Sequence, residues 1–355
     1  MKPAPFLLPI ALFSAITGIV TGLFRIGWFE FPAIGASEHG AIMVGSFMGT
    51  LISLERVSAF KNNYGFVIPL LSAGSLVAFL TGYAQAGQYL LIAASLGLLV
   101  ITAIFQKNFI PAQFLIAFSG SVCWLLGNVM LVLWNMYPAA VSWWMAFILL
   151  TIVSSRLKAS MAMQVSSGKY TILYVLLALY GLSLLMPFHG NGRYLSGIAL
   201  VFIAPWLLLF DVAHLTGVSK YSGWLVFTGF AWLLFTGVCM LWGEMIGPLY
   251  DSTLHSFFIG FLFTTIMAQG PKILPSLLGK TIQPFHPILY LWFALLQASL
   301  LLRISANFLN LYTLRQWAGL LNGIAMFSFF LTMGILLAIE LRKTKKAHTL
   351  TSAKA

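Results

Sequence analysis

A chain of 355 residues that is 60% hydrophobic and only 7% charged carries more apolar surface than one water-soluble core can hide. Its mean hydropathy of +0.96 excludes an ordinary soluble enzyme or binding module. The net charge of +12 reads as membrane orientation and attraction to anionic headgroups, and nucleic-acid binding is excluded as its explanation.

Crossing a hydrocarbon layer about 30 Å thick takes about 20 apolar residues as helix. Charge-poor runs of that length, bounded by polar residues or Gly and Pro, predict an all-α bundle of twelve spans at 5–24, 39–54, 65–84, 87–105, 112–134, 138–155, 170–187, 194–210, 222–243, 252–271, 284–302 and 316–339. The first run begins like a signal peptide, with Lys2 before apolar residues, but no small-x-small site precedes Arg25, so it is expected to stay as the first helix. Residues 1–340 are expected to form a single helical domain and 341–355 a basic cytoplasmic tail.

An even number of spans puts both termini on one side, and the basic residues identify that side as the cytoplasm. Fifteen of the nineteen Lys and Arg residues fall there, among them Arg56, Lys107, Arg156, Lys169, Lys220, Lys272 and Lys280, and only Arg25, Arg193, Arg303 and Arg315 face outward. The expected location is a bacterial cytoplasmic (inner) membrane, with the lipid bilayer as the one certain partner. Cys123 and Cys239 lie inside helices without metal-ligand spacing and read as packing residues.

His39 and His255 fall near the outer ends of the second and tenth spans, at depths that agree to within about a turn, roughly 5 Å. An ionisable ring inside a membrane segment is a functional candidate because hydrocarbon gives it no water to bond. Below His39 the same face carries Met43 and Ser46, with Gly40, Gly45 and Gly49 leaving room for a flat group or a close helix. Below His255 it continues through Ile259, Leu262 and Ile266, with Gly260 beside it.

An apolar slot capped by two imidazoles suits a haem with two axial ligands. Its two propionates would call for guanidinium partners, and Arg25 and Arg303 end the first and eleventh spans at the histidine level, with Trp28, Trp242 and Tyr250 close by. Two alternatives stand beside this reading. The arginines also suit ordinary interfacial anchoring, and His39 beside Glu38 or His255 near Asp251 also suits pairing with its neighbour or with water. Copper(I) is a further alternative, because His39, Met43 and His255 offer imidazole and thioether ligands.

The stretch His39-Gly40-Ala41-Ile42-Met43-Val44 resembles the H-G-x-x-M-x signature on the second helix of haem-copper oxidase subunit I. Leu254-His255-Ser256-Phe257-Phe258-Ile259-Gly260 and Pro271-Lys272-Ile273-Leu274-Pro275 are similar both to that superfamily and to the NnrS-like membrane proteins. The resemblance implies twelve helices with both termini inside, His39 and His255 as axial ligands of haem b, and Arg303 as a propionate partner. It covers two helices by motif. The chain departs from the oxidases where their copper site needs histidines on helices six and seven: residues 138–187 contain none, and His189 follows the seventh span. A two-metal oxidase reaction is therefore not expected, and a redox, sensing or nitric-oxide-stress role is.

No acidic residue lies at mid-membrane, which argues against a proton pump. At the inner face, Glu55, Arg56, Arg156, Lys158, Asp211, His214, Gln269 and Lys272 read either as ordinary salt bridges or as a small-anion or partner site. His286, between Pro284 and Pro287, and His348 read as turn and tail residues. A small-solute transporter or channel is the reading from another class, since paired glycines such as Gly18 with Gly22 and Gly45 with Gly49 allow close helix approach.

Overall fold

The computed structural model describes residues 4–29, 34–60, 63–108, 110–161, 167–210 and 220–352. They form α1 (Ala4–Arg25), α2 (His39–Phe60), α3 (Val67–Leu80), α4 (Ala84–Ile104), α5 (Pro111–Trp134), α6 (Tyr137–Met161), α7 (Ser167–Ser183), α8 (Asn191–Phe210), α9 (Lys220–Leu241), α10 (Gly247–Leu277), α11 (Ile288–Phe308) and α12 (Tyr312–Ser352). No strand occurs among the described residues. Ten of these helices are long and apolar enough to cross a membrane, and two shorter apolar helices cover Tyr64–Leu80 and Gly168–Ser183.

Neighbours in sequence pack side by side: α3 on α4, α4 on α5, α5 on α6, α8 on α9 and α11 on α12. The chain closes on itself where α1 touches both α2 and α12. At that joint the Trp28 indole donates to the Gln316 carbonyl at 2.8 Å, and Tyr312 and Gln316 each donate to the Ile26 carbonyl at 2.9 Å.

Among the described residues two of these helices contain π-helical turns, and both carry a candidate histidine. Ile42–Gly49 of α2 and Ser256–Phe263 of α10 are π-helical turns. Widening the turn loosens the regular carbonyl pairing, and side chains take up the freed groups. Ser72 donates to the Gly45 carbonyl at 2.9 Å, and Thr264 reaches back five residues to the Ile259 carbonyl at 3.4 Å.

The tenth helix begins at Gly247, five residues before its expected start. Gly247 has φ +50, which starts the turn, and Pro248 then occupies the first helical turn, where its missing N–H costs nothing. His255 consequently lies two turns inside α10, whereas His39 is the first residue of α2.

Candidate functional site

A cavity of about 580 Å³ opens between α1, α2, α6, α10, α11 and α12. It falls within the range of roughly 300 to 1,000 Å³ typical of small-molecule and cofactor pockets. His39, Met43, His255, Arg25 and Arg303, all singled out in the sequence, line it.

The stripes that reach the cavity have a spacing of four. On α2 they are His39, Met43 and Phe47 with Gly40, Val44 and Met48; on α10 they are Asp251, His255, Ile259 and Phe263 with Tyr250, Leu254, Phe258 and Leu262. On an α-helix every fourth residue drifts around the axis by about 40° per step, and the wider π turn takes that drift out. The two π segments therefore keep both stripes aimed at one space. This displaces the expected Ser46 and Ile266 from the cavity lining. Ser46 bonds Ser75 at 2.6 Å instead.

Gly40 of α2 lines the cavity, whereas Gly45 and Gly49 serve helix contact. A Cβ at Gly45 would lie 2.4 Å from Leu91, and one at Gly49 would lie 2.3 Å from Trp124. Gly260 likewise turns away, toward Trp232. The glycines that shape the ligand environment are on α1: a Cβ at Gly22 would meet the His39 ring at 2.9 Å, and one at Gly18 would meet the Met43 sulfur at 2.2 Å.

Both imidazoles are oriented through Nδ1. His39 Nδ1 lies 2.8 Å from the Gly18 carbonyl and 3.3 Å from the Thr21 hydroxyl. His255 Nδ1 lies 2.7 Å from the Asp251 carbonyl oxygen and 3.2 Å from its carboxylate. A carbonyl only accepts, so each Nδ1 carries a proton, and in the neutral ring it is Nε2 that keeps the lone pair. Among the described residues, neither Nε2 has a hydrogen-bond partner. Glu38 accepts from Ser37 at 2.7 Å, not from His39, whereas the expected alternative pairing of His255 with Asp251 is present and occupies Nδ1 alone.

The arginines divide into two kinds. Arg303, 6% exposed, donates from Nε and Nη2 to the two Asp251 carboxylate oxygens at 3.0 and 2.8 Å. Asn307 adds a bond to the same carboxylate at 2.7 Å. Arg303 is thus neutralised within the protein, and the sequence could not show this because Asp251 is 52 positions away. Arg25 and Arg315 also line the cavity, and among the described residues neither pairs with a carboxylate. Arg315 lies over the Tyr312 ring at 5.0 Å, and its buried Nε has no partner.

Sequence reasoning missed Arg315 as a cavity residue and the α6 wall of Tyr137, Val141 and Trp144. The available signal was the seven-residue spacing of Tyr137 and Trp144, which shares one helix face. Trp144 is fixed by donating to Asn128 at 3.0 Å. Tyr250 lines the cavity as expected and packs in a tilted arrangement against His189 with ring centres 5.2 Å apart. Partial burial and the nearby Arg193 charge lower the His189 pKa. Trp28 belongs to the α1–α12 joint, and Trp242 is exposed.

None of Glu55, Arg56, Arg156, Gln269 and Lys272 lines the cavity. Asp211, His214 and the side chains of Lys158 and His348 lie outside the described residues. His286 accepts the Ile288 N–H at 3.2 Å and so caps the start of α11. No cluster of three or more His, Cys, Asp or Glu side chains is arranged around a metal-sized space among the described residues.

Among the described residues the fold defines an all-helical protein, ten of its helices long and apolar enough to cross a membrane, with a histidine-capped cavity. The chain belongs to the family described as Domain of unknown function (DUF8744), whose model matches residues 4–338. No curated protein matches it.

Proposed function

We propose that the chain is an integral protein of a bacterial cytoplasmic membrane, crossing it twelve times with both termini inside, and that it holds a b-type haem between His39 and His255. The single observation that carries the haem reading is the matched orientation of the two rings. Each Nδ1–H is committed to a backbone carbonyl, and both Nε2 atoms, without a partner among the described residues, belong to residues of one largely apolar cavity. Metal-ligating histidines are typically fixed this way by a hydrogen bond through the other ring nitrogen.

The cavity fits the group in three further respects. Its walls are apolar side chains such as Phe47, Val141, Phe258, Leu262 and Met326. Gly22, Gly319 and Gly323 line it without side chains. Arg25 and Arg315, which pair with no carboxylate among the described residues, supply two guanidinium groups for two propionate carboxylates. Arg303 serves instead to hold Asp251.

When bound, haem supplies a one-electron couple. The protein's part is to fix both rings, exclude water with the aromatic and aliphatic walls, and balance carboxylate charge at the arginine end. The H-G-x-x-M resemblance at His39 and the resemblance of Leu254–Gly260 around His255 support the same ligand pair, and the NnrS likeness of the second segment supports a redox, sensing or nitric-oxide-stress role. The ten long apolar helices, the two shorter ones and the lopsided distribution of Lys and Arg support the membrane topology.

The test is the reduced-minus-oxidised optical spectrum of the purified protein with metal analysis. One haem per chain is expected, lost when His39 and His255 are replaced together by alanine. A full haem spectrum in that double variant removes the reading. Copper without iron moves the site to His39, Met43 and His255.

A further inference from the structure

We propose that Asp251 is a positioning residue that makes the two ligands unequal: His255 is permanent, and His39 is exchangeable for a small neutral ligand entering on the α1–α2 side. The inference rests on the haem reading above and adds to it which ring stays.

His255 is held by one residue in two ways. The Asp251 carbonyl takes its Nδ1–H at 2.7 Å while the Asp251 carboxylate lies 3.2 Å from the same nitrogen. That carboxylate is itself immobilised. Arg303 grips it with a two-pronged fork, Asn307 donates to it at 2.7 Å, and Asn307 is tied in turn to Ser252 at 3.0 Å. Bidentate guanidinium contacts fix geometry as well as charge. A carboxylate behind a ligating imidazole raises its basicity and locks its orientation, strengthening the bond that Nε2 makes to a metal.

His39 has no such support. Its Nδ1 meets only the Gly18 carbonyl and the Thr21 hydroxyl, both uncharged and both on α1, a different helix. The Thr21 hydroxyl, whose single proton goes to the Thr17 or Gly18 carbonyl, meets Nδ1–H only as an acceptor, and at 3.3 Å it is the weaker one beside the Gly18 carbonyl at 2.8 Å. Beside the ring, Gly22 presents no side chain, and Gly18 accommodates the Met43 thioether in the space its own Cβ would take. The wall behind His39 is therefore the small-residue face of a neighbouring helix, and the wall behind His255 is a charged, four-residue node. When one ligand gives way, it is the ring whose Nδ1 is held by neutral partners alone.

The experiment uses the full-length haem-loaded protein, with carbon monoxide as the probe on the reduced form. His39→Ala is expected to keep one haem per chain, to turn high-spin and to bind carbon monoxide at least tenfold more tightly than the wild type. His255→Ala is expected to lose most of its haem. Asp251→Asn is expected to weaken haem retention by about 10- to 100-fold and to move the midpoint potential upward, a shift that a purely structural role would not produce. Equal haem loss in the two histidine variants, a high-spin carbon-monoxide-binding form in His255→Ala, or an unmoved potential in Asp251→Asn overturns the assignment of unequal ligands. Those results in a wild type with a low-spin, two-histidine spectrum overturn this inference alone. A wild type that takes up no haem overturns the underlying reading and this inference with it.

Discussion

His39–Gly49 and Ser252–Phe263 present the same motif to the cavity, a histidine leading into a π turn, but their surroundings differ in kind. The first leans on α1 through a neutral carbonyl and two glycines. The second is anchored inside its own helix and across to α11 by Asp251, Arg303 and Asn307. A shared backbone device thus aims both stripes, while electrostatics distinguishes them. The lesson is that local geometry sets where a ligand points and the groups behind it set how firmly it is held.

The comparison can be broken most severely at Asp251. Asp251→Ala leaves Arg303, 6% exposed, without its counter-charge. Removing one partner of a buried ion pair costs roughly 3 to 5 kcal/mol, and the lower end is expected because Asp251 itself is 22% exposed. Thermal unfolding in detergent reads this, and a loss below about 1 kcal/mol would show that the node is not a structural anchor.

Gly22→Val attacks the other side. Its Cβ would sit 2.9 Å from His39 Cε1, so the ring must move. Overpacking of this kind costs about 1 to 3 kcal/mol, and a high-spin fraction should appear in the haem spectrum. Gly260→Val is the matched control: its Cβ meets Trp232 at 2.5 Å, away from the cavity, so stability should fall while the spectrum is retained. A spectral change in Gly260→Val as large as in Gly22→Val would remove the distinction between the two glycines.

The smallest effect is expected far from the cavity, in the last helix. The Lys343–Glu340 pair is 2.6 Å long with Lys343 66% exposed. Surface pairs of this type contribute about 0 to 1 kcal/mol. Lys343→Ala should leave both unfolding temperature and spectrum close to the wild type, and a clear loss of either would connect the tail to the site.

Each of the twelve apolar runs in the sequence overlaps a helix, ten of them long and apolar enough to cross a membrane, because length, hydropathy and punctuation are local properties. His39, Met43, His255, Arg25 and Arg303 were also legible as cavity residues, since helix order and depth place them together. The π turns were not legible. A period of 3.6 is assumed in any face drawn from sequence, so Ser46 and Ile266 were assigned to a face that the wider turn rotates away. Nor was the division among the arginines. Which guanidinium meets Asp251 depends on how α10 packs against α11, a contact between residues 52 positions apart, and nothing in the sequence marks Arg315 as a cavity arginine whose Nε has no partner among the described residues.

The central claim is two imidazole ligands on one iron, and low-temperature electron paramagnetic resonance of the oxidised, purified wild type tests it most directly. The account predicts a low-spin ferric signal that is absent from the His39→Ala, His255→Ala double variant. A wild-type signal that is wholly high-spin, or a low-spin signal that survives the double replacement, would contradict it.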